Sequence, residues 1–482
     1  MSALMSNSNS LRNEKMASSS PESYKSKWRF GFLALVFYVV MVQGGVGSLT
    51  PGITMLFLAV LLVRSALFQV ANLKTTLIWM ACVFLTGVLI GYAWLQSVAL
   101  FHPRLDQDFW APARALLTPV SGAISVAPMQ TRLAILGLSP MIGFCVALRL
   151  FAQEAAALTL LKRLNYFNAL LALCGVLQMV FFPNNNLFAE KQFYVGSLTA
   201  VFINRNTAGT FFGLGLLTSL GLIFFQLKTV DLRHFAVSIL GLNNGAFARY
   251  GQVLAPISAA ILQAIALFLT QSRGAVGATF ISIVLLIVLM SRRRLSSSRA
   301  FGTTNRRAGV LRVCALVALV VGGFALFAGR SIQRMEAQGV EDARWCTDVA
   351  TVQAIKDNWP LGSGLGTFAE TYPRYRQLGC GDPYSVWDAA HNTYLEGALT
   401  LGIVFAIVCL CVYAIIVFIV IHGLKYRRRL YFAPCLLAAA VTLVTLHGQV
   451  DFSLQIPGFA LFFASVCGAL TAISLSQSKS NS

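Results

Sequence analysis

Charge is what this chain has least of. Asp, Glu, Lys and Arg make up only 11% of its 482 residues, against roughly 25% in soluble domains, which excludes an ordinary soluble fold. Acid is scarcer than base, with 17 Asp and Glu against 37 Lys and Arg. No Cys-x-x-Cys pair occurs, so structural zinc is not indicated. Eight of the ten cysteines (Cys82, Cys145, Cys174, Cys314, Cys409, Cys411, Cys435 and Cys467) fall in apolar segments, where cysteine behaves as a small hydrophobe. The Gly-rich run Pro360–Gly366 lacks a preceding strand and a following Gly-Lys-Ser/Thr, which removes a nucleotide phosphate loop. It reads instead as a turn that folds the chain back, using glycine for a tight backbone path. No internal repeat of the kind common in transporters is visible.

What is present is apolar sequence in long runs. Hydrophobic residues are 57% of the chain. Twelve segments approach the roughly 20 residues needed to cross about 30 Å of hydrocarbon. They lie near 29–47, 51–71, 76–96, 132–151, 165–183, 207–227, 252–272, 274–291, 310–329, 393–421, 431–447 and 456–475. The expected fold is an all-α polytopic membrane protein of about twelve transmembrane helices, with a large loop between the ninth and tenth. Its expected parts are a disordered cytoplasmic tail (1–27), helices one to nine (28–329), a periplasmic loop (330–391), helices ten to twelve (392–475) and a cytoplasmic tail (476–482). The 1–27 leader shows no small-residue cleavage site, so the first helix is expected to stay as an anchor.

The formal charge of +20 is distributed as topology requires, not as nucleic-acid binding would. Basic clusters occupy alternate gaps: Lys25, Lys27 and Arg29; Lys74; Lys162 and Arg163; Lys228, Arg233 and Arg249; Arg292–Arg294 with Arg306 and Arg307; Lys425 with Arg427–Arg429. The positive-inside rule makes those gaps cytoplasmic. Both termini then lie inside, the 330–391 loop lies outside, and the lipid bilayer is the partner these charges imply. The Pro-rich 98–131 gap is expected outside as a shallow interfacial segment, and the 228–250 gap inside as a surface helix or connector.

The 330–391 loop holds eight of the 17 acidic residues and carries Trp345, Trp359, Tyr372, Tyr375 and Trp387. A loop this long is functional or disordered, and its aromatics argue for an ordered cap. Cys346 and Cys380 are the only cysteines in it, in the one compartment where a disulfide persists, and are expected to pair.

Ionisable groups on the wrong side or at membrane depth need a reason. Arg205 opens the sixth helix and Arg273 forms the turn between the seventh and eighth, both at the outer boundary and flanked by Asn, Gln, Ser and Gly. Their planar guanidiniums suit phosphate; the other reading is that each snorkels to lipid headgroups. His391 precedes Thr393-Tyr394-Leu395-Glu396, a capping-box pattern that starts a helix at or near Thr393. A neutral imidazole there can accept a proton near neutral pH, with Asp388 close enough in sequence to orient it, or it can simply bond loop backbone. Asp451, in the turn between the last two helices, is open to two readings: pairing with an arginine across the bundle, or contacting sugar.

Five motifs in order resemble the O-antigen ligase and polymerase superfamily. They are Asn204-Arg205-Asn206-Thr207-Ala208-Gly209, Gln271-Ser272-Arg273-Gly274-Ala275, Gly364-Leu365-Gly366-Thr367-Phe368, His391-Asn392-Thr393-Tyr394-Leu395-Glu396 with Leu401-Gly402-Ile403, and Asp451-Phe452-Ser453-Leu454-Gln455-Ile456-Pro457. The resemblance covers about residues 200–460. It implies a metal-independent inverting glycosyltransferase of the bacterial inner membrane, without cofactor. Such an enzyme moves glycan from an undecaprenyl-diphosphate carrier to an acceptor sugar hydroxyl, lipid A core among them. By position, Arg205 and Arg273 would bind the diphosphate and His391 would be the base. Asn204, Asn392, Asp388 and Asp451 complete the candidate substrate-binding set. Ligase and repeat-unit polymerase share these motifs. A transporter or flippase is the alternative of another class.

Overall fold

The computed structural model describes residues 21–47, 49–68, 72–99, 110–116, 122–227, 230, 234, 246–297, 340–377 and 386–476. Hydrocarbon offers no partner to a backbone amide, so apolar runs close their hydrogen bonds internally as helices. In order these are α1 (Pro21–Met41), α2 (Thr50–Ala66), α3 (Leu73–Gln96), the short α4 (Trp110–Leu116), α5 (Pro128–Ala134) continuing through a 3-10 turn into α6 (Ser139–Leu150), α7 (Glu154–Phe181), α8 (Arg205–Gln226), α9 (Ala246–Leu269), α10 (Arg273–Ser297), α11 (Val340–Asn358), the one-turn α12 (Phe368–Thr371), α13 (Thr393–Tyr426), α14 (Phe432–His447) and α15 (Pro457–Leu475). No strand forms among the described residues beyond one isolated bridge, Asn185 to Glu190.

The all-helical expectation stands, but the count of twelve spans is not reproduced. Eight helical stretches among the described residues are long and apolar enough to cross a membrane. α2 and α14 are apolar but shorter, at 17 and 16 residues. α1 begins at Pro21, seven residues inside the segment expected to be a disordered tail. The ninth expected segment, 310–329, lies outside the described residues.

α8 and α15 form the centre, with 72% and 89% of their apolar windows buried, whereas α13 buries 11% and lines the periphery. Phe211 of α8 meets Phe462 of α15 at 4.7 Å and Phe202 at 5.2 Å between ring centroids. In lipid such van der Waals packing and interhelical hydrogen bonds carry helix association. One polar cluster at this depth joins three helices. Ser219 of α8 bonds Gln263 Oε1 of α9 at 2.7 Å, and Asn165 of α7 donates to Ser219 at 2.9 Å.

The two ends of the bundle differ in charge. At one end Arg29 donates to Leu150 O at 2.9 Å, Lys74 meets His422 at 2.8 Å, and buried Arg427 pairs with Glu154. The opposite end gathers the N-termini of α8, α10 and α13 with the C-terminus of α14, and there the motifs meet.

α13 is two helices, because Gly402 breaks it with φ 58° and ψ −138°. The Gly-rich run Pro360–Gly366 caps both sides of the break. Ser363 N and Gly364 N donate to Leu399 O and Thr400 O at 2.9 and 3.0 Å, while Pro360 O accepts from Ile403 N at 2.9 Å. Gln96 of α3 adds its amide to Thr400 O at 2.9 Å. Helix ends leave orphan donors and acceptors, and this run satisfies those on each side. A Cβ on Gly402 would lie 2.0 Å from Pro360 O, so only glycine fits.

The 330–391 segment is ordered where described. α11 turns Ala350 and Ala354 onto Phe368, Tyr372, Ala390 and Leu399 as a separate small core. Phe368 and Tyr372 stack at 5.1 Å. Cys346 is disulfide-bonded; its expected partner, Cys380, lies outside the described residues.

Candidate functional site

Asn204 caps α8 with its side chain, accepting from Asn206 N at 2.8 Å. That cap fixes Arg205 at the first helical position. Arg205 is half-buried, its guanidinium lying over the Tyr194 ring at 5.3 Å and its Nη1 reaching Ser197 Oγ at 3.5 Å. Its Nε is buried without a hydrogen-bond partner, and a buried charged donor left open is costly. The loop bearing Tyr194 is clamped by Lys191, whose ammonium is buried against Pro183 O at 3.2 Å and Ser197 O at 2.7 Å.

A single network joins the elements that carry the predicted side chains. Asp451 is fully buried. Its carboxylate accepts from Asn204 Nδ2 at 3.4 Å, from Asn206 Nδ2 at 3.2 Å and from Ser453 Oγ. Asn206 Oδ1 in turn accepts from Ser272 Oγ at 2.8 Å, beside Arg273. Asp451 O accepts from Thr393 Oγ1 at 3.1 Å, two residues beyond His391. Asp451 Oδ2 also lies 3.9 Å from His447 Nδ1, which meets Thr210 Oγ1 at 2.6 Å. Asp451 thus tethers α8 through its carboxylate, α13 through its backbone carbonyl and α10 by way of Asn206. Arg273 is exposed at the start of α10, and its charge acts on Arg205.

His391 sits with φ 55°, a left-handed backbone that costs a bulky residue on the order of 1–3 kcal/mol. Glu396 accepts from Ala390 N at 2.8 Å, and Asn392 Oδ1 accepts from Tyr394 N and Leu395 N at 3.1 and 3.2 Å. The cap is thus Asn392, and Glu396 reaches past it to the residue before the histidine. The expected helix start at Thr393 holds; the expected pairing of Thr393 with Glu396 does not. Trp387 and Phe452 meet the imidazole edge-on at 5.4 and 4.8 Å. Its Nδ1 is buried without a partner, and Asp388 is exposed, so Asp388 does not orient the ring through that nitrogen. Burial, then the positive charge of Arg344, holds the imidazole down at about 4, against the opposing pull of Asp451. The side chain is neutral at pH 7, as a proton acceptor must be.

Arg344, half-buried on the first described turns of α11, acts on Arg205, on His391 and on Tyr194. It is one of five arginines in the 330–391 segment, with Arg330, Arg334, Arg374 and Arg376, and nothing in the sequence singles it out. The one available signal was a cation on the side where topology asks for none.

These features define a polytopic helical membrane protein with a neutral histidine and several guanidiniums gathered under an ordered cap at one end. Residues 258–411 match the family model described as O-antigen ligase. The match takes in Arg273, Arg344 and His391. Arg205 and Asp451 lie outside it; Asn204 and Asn206, on either side of Arg205, bond Asp451 and so tie both to the site. No curated protein matches the chain.

Proposed function

We propose that the chain is an inner-membrane glycosyltransferase that moves glycan from an undecaprenyl-diphosphate carrier to an acceptor sugar hydroxyl on the periplasmic side. The observation that carries this reading is the Asp451–Asn206–Ser272 network, which ties the flanks of Arg205, Arg273 and His391 into one constellation. Within it the buried Arg205 Nε is left for an anionic oxygen. The acceptor hydroxyl gives its proton to His391 as its oxygen bonds the anomeric carbon. The bond from that carbon to the diphosphate oxygen breaks with inversion. The electron pair leaves on the carrier diphosphate, where Arg205, Arg273 and Arg344 stabilise it as oxyanion-hole groups stabilise developing charge.

The depressed basicity of His391 has a role in this sequence. A bound diphosphate offsets the Arg344 charge and lifts the imidazole toward its ordinary value, so the base strengthens when donor is in place. Ligase and repeat-unit polymerase differ only in acceptor, lipid A core in one case and a second lipid-linked glycan in the other. The test is transfer in proteoliposomes holding purified protein, polyprenyl-diphosphate oligosaccharide and acceptor. Glycosylated acceptor that forms equally well in EDTA is expected. Donor that crosses the bilayer without any transfer would identify a flippase and overturn the proposal.

A further inference from the structure

α11 has two faces. One buries Thr347, Ala350, Thr351 and Ala354 toward the cap's own core. The other presents residues 345, 348, 349, 352, 353 and 356 at helical spacing. Together with Ala350, Tyr375 and Gln377 they line a groove of about 420 Å³, within the usual range for small-ligand sites. Trp345 stands 72% exposed at its mouth.

The lining selects a ligand class. Trp345 and Tyr375 offer flat aromatic faces. Asp348 accepts, Lys356 donates, and Gln353 and Gln377 do both. One Lys against one Asp does not attract a polyanion, and Val349 and Val352 are too small to seat a greasy helix. A pyranose ring fits the combination, because its axial C–H groups lie against an aromatic plane while its equatorial hydroxyls reach surrounding donors and acceptors. Arg344, whose charge acts on His391, immediately precedes Trp345 on the same helix. We propose that this groove is a carbohydrate subsite, holding the sugar chain of a substrate whose reacting end lies at His391. The assignment rests on the glycosyltransferase reading and extends it to the cap.

The test uses the full-length protein in nanodiscs and a size series of oligosaccharides from the acid-hydrolysed surface polysaccharide of the cell that makes it. Isothermal titration of the His391→Ala protein measures binding without turnover. Saturable binding is expected, weakened at least tenfold by Trp345→Ala and partly restored by Trp345→Phe; an exposed indole can be removed without unfolding the cap. In turnover, Trp345→Ala and Gln353→Ala should raise the KM of one glycan substrate about tenfold at unchanged kcat. A rise for acceptor or for donor identifies which chain lies in the groove. No oligosaccharide binding, or binding and both KM values indifferent to Trp345, would overturn the subsite while leaving the transfer reading intact. Trp345-dependent binding without transfer of any kind would do the reverse.

Discussion

His391 combines a strained backbone, two aromatic edges and a cation behind it, and each has a measurable consequence. With its value near 4 in place of the ordinary 6.5, the free enzyme keeps its base through mild acid. The acid limb of kcat/KM, which reports the free enzyme, should fall with a midpoint near 4. The limb of kcat should lie higher, because donor anion offsets Arg344. Arg344→Gln removes a positive charge and should move the kcat/KM midpoint upward, though still below 6.5 because burial remains. A midpoint at 6.5 in the wild type would contradict this. The sign for stability follows from the same depression. The unfolded chain takes up the proton first, so this contribution is present above pH 6.5 and is lost as pH falls toward 4.

Arg205→Lys keeps the charge but loses the planar fork and the stacking on Tyr194, and should cost about 1–3 kcal/mol of transition-state binding. Unchanged kcat/KM in the Lys variant would mean that this arginine serves only lipid headgroups. Arg205, Arg273 and His391 were legible from sequence because an ionisable group at the outer boundary is expensive and stands out against aliphatic neighbours. Arg344 was not, since five arginines shared its loop. Nor was the tethering role of Asp451, whose partners lie up to 247 positions away.

At the scale of elements, the site is held by short irregular pieces between long helices. Glu396→Ala should release Ala390 N and let His391 relax, lowering kcat while donor KM stays. Glu396→Gln keeps the acceptor and should restore most of the rate. In a double-mutant cycle Glu396→Ala should cost nothing further once His391 is Ala; an additive loss would make Glu396 merely structural. Gly402→Ala places a side chain at φ 58° against Pro360 O, and should lower the unfolding midpoint by the equivalent of about 1–3 kcal/mol. An unchanged midpoint would deny the break its role. The long helices were readable as apolar runs of the right length. The break was not, because Leu401-Gly402-Ile403 is as apolar as its surroundings and nothing local reveals that the Pro360–Gly366 run caps it. The Asn392 cap was missed because Thr393 with Glu396 matches a capping box equally well, and only the backbone path decides between them.

As a whole, the molecule must present two chemically different faces across a bilayer. The basic clusters of Arg29, Lys74 and Arg427 lie at one end and Arg205, Arg273 and His391 at the other, as charge placement in the sequence leads one to expect. An impermeant thiol reagent on spheroplasts should label Trp345→Cys and spare Arg428→Cys; the opposite pattern would reverse the orientation. The central claim, proton removal by His391 during transfer from a lipid-linked diphosphate, is tested most directly by the transfer rate of His391 variants in donor-loaded proteoliposomes. His391→Ala should insert and bind donor normally but transfer about 10²–10⁴ times more slowly, with His391→Gln nearly as slow because it hydrogen-bonds yet takes no proton. Transfer restored by Gln but not by Ala, or undiminished in both, would contradict the base.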